Sequence, residues 1–160
     1  MGELGEFSLV DRAYLRAYPW RRIDPVPWTP LAKPLSECRL AIVSSAGLVA
    51  RHQAAFDASV RGGDVSFRRI PSDYPVSRLI DTHRSESFDH SGIARDPNLA
   101  FPIDRARELV AAGRVGSLAD AHVSLMGSIT APGRLVRDSA PEIARDLAAA
   151  GVDVALLVPV

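Results

Sequence analysis

The chain alternates between short, nearly continuous apolar runs and longer stretches in which apolar residues return every three or four positions. The runs are "RLAIVSSAG" from Arg39, "DVSFRRIP" after Gly62 and Gly63, "AHVSLMG" at 121–127 and "VDVALLVPV" at 152–160. Their length, branched residues and flanking glycines predict four β-strands, the first and last covered on both faces. In the second, alternation sets Val65, Phe67 and Arg69 on one side.

The longer stretches predict helices. In "PIDRARELVAAG", Pro102 suits a first turn, Asp104 and Glu108 favour the positive N-terminal half, and Gly113 follows as a cap; Ile103, Ala106, Leu109 and Val110 form the inward stripe. In "SAPEIARDLAAAG", Ser139 and Glu142 have capping-box spacing, Ile143, Ala144, Leu147 and Ala148 face inward, and Gly151 leads into the last strand. Near the N-terminus Ser8 caps a short helix, with Asp11 in its first turn and Leu9, Val10, Ala13, Tyr14 and Ala17 on one face, before Pro19 stops it. "PWRRIDPVPWTPLAKP" then carries five prolines between aromatic and aliphatic residues, a density that forbids helix and central strand and predicts an extended arm. Trp20 and Trp28 on this arm read either as a partner-docking surface or as anchors that pin the arm to the domain.

Apolar strands alternating with helices imply parallel pairing and right-handed crossovers. The expected fold is therefore α/β, a layered parallel sheet with flanking helices resembling half of a flavodoxin-like or Rossmann-like fold. The helix and Pro/Trp-rich arm would occupy residues 1–36 and the α/β domain 37–160. Ligands in such sheets gather beyond the carboxyl ends of the strands, which directs attention to Ser44–Gly47, Pro71–Tyr74, Met126–Ser128 and the chain after Pro159. A strand as apolar as "VDVALLVPV" belongs inside a sheet, and an interior strand is followed by more chain, so the domain is expected to be cut at its C-terminus.

Composition narrows the function class. At 160 residues with 47% hydrophobic and 24% charged content, the chain is long and apolar enough to bury a core. Nineteen cations balance nineteen anions, so no net field draws the chain to nucleic acid or anionic lipid. No apolar run approaches the roughly 20 residues that span a bilayer, and early acids replace the positive start of a signal peptide, which predicts a cytoplasmic protein. Cys38 is the only cysteine, so an internal disulfide, a cysteine pair or a thiolate cluster cannot form within these residues. The four histidines show no metal-ligand spacing such as HExxH, and no metal is expected.

Several stretches, in order over about residues 28–160, resemble one known family. They are "KPLSECRLAIVSSAG" (33–47), "FD" (56–57), "GDVSFRRIP" (63–71), "THRSESFDHSGIARDPNLAFPIDRARELVAAGRVGSL" (82–118), "HVSLMG" (122–127) and "GVDVALLVPV" (151–160). This pattern resembles the selenoprotein B family of glycine, sarcosine, betaine and D-proline reductases. The resemblance implies that the segment matching "LLVPV" is followed at once by a loop carrying selenocysteine, or cysteine in many relatives, so the nucleophile is expected immediately after Val160. Selenocysteine is encoded by UGA, ordinarily a stop codon, which would account for a chain ended there. It further implies reductive C–N bond cleavage, in which a deprotonated chalcogen attacks the carbon bearing the amine. The implied partners are a thioredoxin-type electron donor and other reductase subunits, with a homo-oligomer possible. No cofactor is expected within these residues beyond the selenocysteine of the longer protein.

The substrate-binding candidates cluster at the strand ends and the adjoining loops. Ser44, Ser45 and Gly47 could cradle a carboxylate or phosphate with free N–H groups, or simply make a tight strand-to-helix turn. His83, beside Asp81 and Asp89 in a loop, matches a family position where histidine recurs; it could orient substrate or pass a proton, or cap a neighbouring turn. Asn98, Asp104 and Arg105 read as an anion clamp with Arg105 as carboxylate fork, or as helix-start chemistry with a surface ion pair. Met126 and Gly127 end the third strand and border the expected site. His52, His90, His122 and Cys38 read as structural. A second function class also fits: a non-catalytic α/β module that binds a partner through its arm and a small anion at its strand ends.

Overall fold

A computed structural model of the chain describes residues 4–18, 22–86 and 90–160. These fall into two units, residues 1–30 and 31–160. The first contains helix α1 (Leu9–Ala17), whose Ser8 cap accepts the Asp11 N–H at 3.2 Å and donates to its carboxylate at 2.6 Å, as the spacing predicts. Pro19 and Trp20 lie outside the described residues.

The second unit is a mixed α/β layer. In chain order it contains β1 (Arg39–Ser44), β2 (Leu48–Val49), β3 (Phe67–Pro71), β4 (Ile80–Asp81), α2 (His90–Arg95), α3 (Ile103–Ala111), β5 (Ser117–Leu118), β6 (Ala121–Leu125), α4 (Ala140–Ala149) and β7 (Val154–Val158). Strand β1 is the centre of the sheet. It pairs in parallel with β7 from Leu40 to Ser44, and with β5 at Arg39–Leu40 and β6 at Val43–Ser44. Where the ladder passes from β5 to β6, the Ile42 N–H instead donates to His122 Nδ1 at 3.1 Å.

The core lies on the face that α3 covers. Leu40 and Ile42 pack with Ile93, Phe101, Ile103, Ala106 and Val115, all nearly or fully buried. Alternation along β1 sends Ala41 and Val43 to the opposite face, where α4 provides cover through Ile143. Cys38 closes the start of β1, buried, with its thiol donating to Pro34 O at 3.3 Å.

Several expectations are corrected. Strand β3 runs antiparallel to β6, with Phe67 opposite Leu125 and Pro71 opposite Ala121. The loop Pro71–Tyr74 therefore lies at the amino edge of the sheet, and the segment leading into β3 takes its place at the carboxyl edge. No helix follows Ser44–Gly47: the chain enters β2, which pairs antiparallel with β4. Ser139 caps nothing, because a π-helical turn (Leu135–Ser139) precedes α4 and its hydroxyl donates to Val65 O at 2.6 Å; Leu109, expected inside, is 43% exposed.

Strand β7, expected inside a sheet that more chain would complete, pairs among the described residues with β1, and Leu156 and Leu157 are 42% and 68% exposed. The middle position falls to β1, the strand that receives parallel partners along both sides.

Candidate active site

The carboxyl ends of β1, β6 and β7 meet at one point. The Ser45 N–H donates to Val158 O at 3.0 Å, and the Val160 N–H donates to Ser45 Oγ at 2.9 Å. Ala46 and Met126 form an antiparallel bridge, and the Gly47 N–H donates to Leu125 O at 2.7 Å. Gly47 has φ +65°, a conformation that glycine adopts without the penalty a Cβ brings.

The β2–β4 ribbon carries His83 to this point. Thr82 donates both its N–H (3.2 Å) and its hydroxyl (2.7 Å) to Gly47 O. A methyl group on Gly47 would stand 3.1 Å from His83 Cα, so the missing side chain is what lets the loop lie against the strand end. Gly127 closes the arrangement. A methyl group there would stand 2.7 Å from Ser45 O, 2.8 Å from Val160 O and 3.1 Å from His83 Nε2. Two carbonyl oxygens and an imidazole nitrogen thus converge where only glycine fits.

His83 is 9% exposed. Burial pushes its imidazole below the ordinary histidine range; the Asp81 carboxylate pulls it back, while His90 and Arg84 add to the lowering. Its Nδ1 accepts the Ser85 N–H at 3.2 Å, so the neutral ring carries its proton on Nε2, the nitrogen facing Gly127. Arg84 is held apart, with Nε to Ser128 Oγ at 3.3 Å and a terminal nitrogen to Val60 O at 3.0 Å.

The other candidates separate from this centre. Ser44 is fully buried and donates to Ala100 O at 2.6 Å, tying β1 to the segment before α3. Met126 packs with Val49 and Phe56. Asn98 and Asp104 bind each other through Asn98 Nδ2 (3.0 Å) and the Asp104 N–H (3.1 Å). Arg105 pairs with Glu108 at 2.7 Å on the exposed side of α3, whereas Arg107 is the residue that grips Asp104, at 2.6 Å. The contacts of Asn98, Asp104 and Arg105 are thus helix-start chemistry and a surface ion pair, and Arg107, two residues later, clasps its own helix and the carbonyls of Ser72 and Tyr74. Asp89 lies outside the described residues.

Sequence reasoning missed two features. His90, read as structural, joins Asp81 through Nδ1 at 2.5 Å, and no regular spacing announces a pair nine positions apart. An apolar trough also opens on the α4 face of the sheet. One cavity of about 340 Å³ lies between Val43, Leu125, Ile143, Leu147 and Leu157, and one of about 200 Å³ between Ser45, Leu157 and Pro159 shares its wall. A larger cleft, about 440 Å³, lies between the 60–69 segment and α4, but its Asp64 and Arg69 are tied up by Ser66 and Asp146. Among the described residues no group of three or more His, Cys, Asp or Glu could hold a metal, and no helix is long and apolar enough to cross a membrane.

The chain is thus an α/β protein whose strand ends gather a buried histidine and small residues. The chain belongs to the glycine/sarcosine/betaine reductase selenoprotein B family, whose model matches residues 8–159. It is 35% identical over 136 residues to the D-proline reductase subunit gamma of Acetoanaerobium sticklandii, covering 84% of this chain and 54% of that protein. It is 31% identical over 116 residues to the sarcosine reductase complex component B subunit beta of Peptoclostridium acidaminophilum, covering 72% and 27% respectively. With the glycine reductase complex component B subunit gamma of Symbiobacterium thermophilum it shares 30% identity over 160 residues, 94% of this chain and 35% of that protein. The chain thus spans between about a quarter and about half of the length of these relatives. No solved structure matches it.

Proposed function

We propose that these residues form the wall around the nucleophile of a thiol- or selenol-dependent reductase component, and that the nucleophile is a selenocysteine or cysteine in sequence following position 160. The observation that carries this reading is the convergence of Val160 O, Ser45 O and His83 Nε2 at Gly127. A residue joined to Val160 would emerge beside a buried N–H donor, at the carboxyl edge where α/β sheets gather their chemistry. Donation from Nε2–H would stabilise a chalcogenolate, and the deprotonated form is the nucleophile.

The reaction follows the family's logic. The chalcogenolate attacks the carbon bearing the amine, a carbon–chalcogen bond forms, and the C–N electron pair leaves with nitrogen. A dithiol donor of the thioredoxin type then attacks the chalcogen, the carbon leaves with the carbon–chalcogen electron pair and takes up a proton, and the second thiol displaces the chalcogenolate as the donor closes to a disulfide, in keeping with a reducing cytoplasmic setting. The names of the relatives suggest small amino acids such as D-proline, sarcosine or glycine as substrates and other reductase subunits as partners.

The nucleotide sequence after the Val160 codon tests the reading. UGA followed by an open frame, with a selenium- or cysteine-bearing peptide in mass spectra of the native protein, is the expected result. A UAA or UAG codon, or no downstream frame, overturns it.

A further inference from the structure

Four hydrogen bonds close a ring around His83. Asp81 Oδ1 accepts the His83 backbone N–H at 2.9 Å, and Asp81 Oδ2 meets His90 Nδ1 at 2.5 Å. His90 Nε2 meets Ser85 O at 2.9 Å, and the Ser85 N–H donates to His83 Nδ1 at 3.2 Å. With Asp81 as a carboxylate, both bonds of the His90 ring form only when each of its nitrogens carries a proton. The two imidazoles lie 6.3 Å apart, centroid to centroid.

We propose that Asp81 and His90 are positioning residues that fix the orientation and tautomer of the His83 imidazole, keeping its Nε2–H aimed at Gly127 and the neighbouring Val160 carbonyl. The ring grips His83 twice, at its backbone through Asp81 and at its imidazole through Ser85. Ser85 is itself placed by His90, so a change at either end of the Asp81–His90 bond reaches Nδ1. The proposal extends the reading of His83 as the donor to a chalcogenolate, but its chemistry is testable without the nucleophile. Among the described residues, the charges that act on His83 include those of Asp81, His90 and Arg84, and the last is tied to Ser128 and Val60.

A loop clamp that served stability alone would leave the imidazole's chemical state untouched once the loop was closed. The test is therefore spectroscopic. In the 160-residue chain labelled with nitrogen-15, the His83 ring should be in the Nε2–H form when neutral and should titrate below the ordinary histidine value of about 6.5. The Ser85 amide resonance should move with the same midpoint. In Asp81→Asn and, separately, in His90→Gln, the Ser85 amide should no longer follow that titration and the Nδ1–H tautomer should become populated; loss of His90 should move the midpoint up toward about 6.5, whereas loss of the Asp81 carboxylate, which pulls the imidazole up, should move it further down. Asp81→Glu should restore part of the coupling. If both disruptive variants keep the coupling, the tautomer and the midpoint of the parent, Asp81 and His90 are not positioning residues. That outcome would leave the reductase reading intact, just as a stop codon after Val160 would leave the ring intact.

Discussion

His122 illustrates what one buried side chain does when the backbone runs out of partners. It is fully buried, and its Nδ1 serves as the acceptor that the Ile42 N–H lacks between β5 and β6. Burial pushes its imidazole down to about 4, and Arg107 adds to the lowering. The folded state thus holds the ring neutral, while the unfolded chain takes up a proton below about pH 6.5. The stability that depends on neutral His122 is complete above that pH and disappears as pH falls toward about 4, on the order of 3 kcal/mol over the window. In His122→Asn, the amide oxygen should take over the Ile42 N–H, and urea unfolding at pH 4.5 and 7.5 should differ much less than in the parent. An equal pH dependence in both proteins would show that the proton is taken up elsewhere.

At the scale of elements, α4 begins differently from what its sequence announces. Ser139 with Glu142 has capping-box spacing, yet the helix continues backward through a π-helical turn, and the Ser139 hydroxyl instead ties α4 to Val65, just before β3. Ser139→Ala should cost about 1 kcal/mol in urea unfolding, the worth of one hydrogen bond, whereas Glu142→Ala, which removes only an exposed partner 3.8 Å from Arg69, should stay within about 0.5 kcal/mol. A larger loss in Glu142→Ala would restore the capping box. The contrast explains what was legible in the sequence. β1, β6, β7 and α3 were readable because each carries its own period of apolar residues and its own stops. The direction of β3 was not, since strand alternation is the same for either direction and is settled by which neighbour buries Ile70. In the strand-end cluster, Ser45, Gly47 and Gly127 stood out by their places after apolar runs, and His83 by its acidic neighbours and its match to a family position. The Asp81–His90 bond was hidden because it depends on loop geometry that no periodicity records.

For the second unit as a whole, the two faces of the sheet are unequal. The α3 face is closed by fully buried side chains, while the opposite face is covered only in part by α4, leaving Val43, Leu125 and Leu157 around an apolar trough beside the unpaired edge of β7. An exposed edge strand with apolar side chains is a template for pairing with another strand. The 160-residue chain should therefore bind a hydrophobic dye while folded and self-associate as its concentration rises. Leu157→Lys places a charge at the centre of that surface without entering the core; it should lower both dye binding and association and change unfolding stability by no more than about 0.5 kcal/mol. Ala106→Asp, on the buried α3 face, should instead unfold the chain and raise dye binding. If Leu157→Lys leaves dye binding and sedimentation unchanged, the trough is not the sticky surface. If the parent binds no dye and stays monomeric at every concentration, the free edge and trough do not act as an association surface, and a self-contained module that binds at its strand ends becomes the better account of these residues.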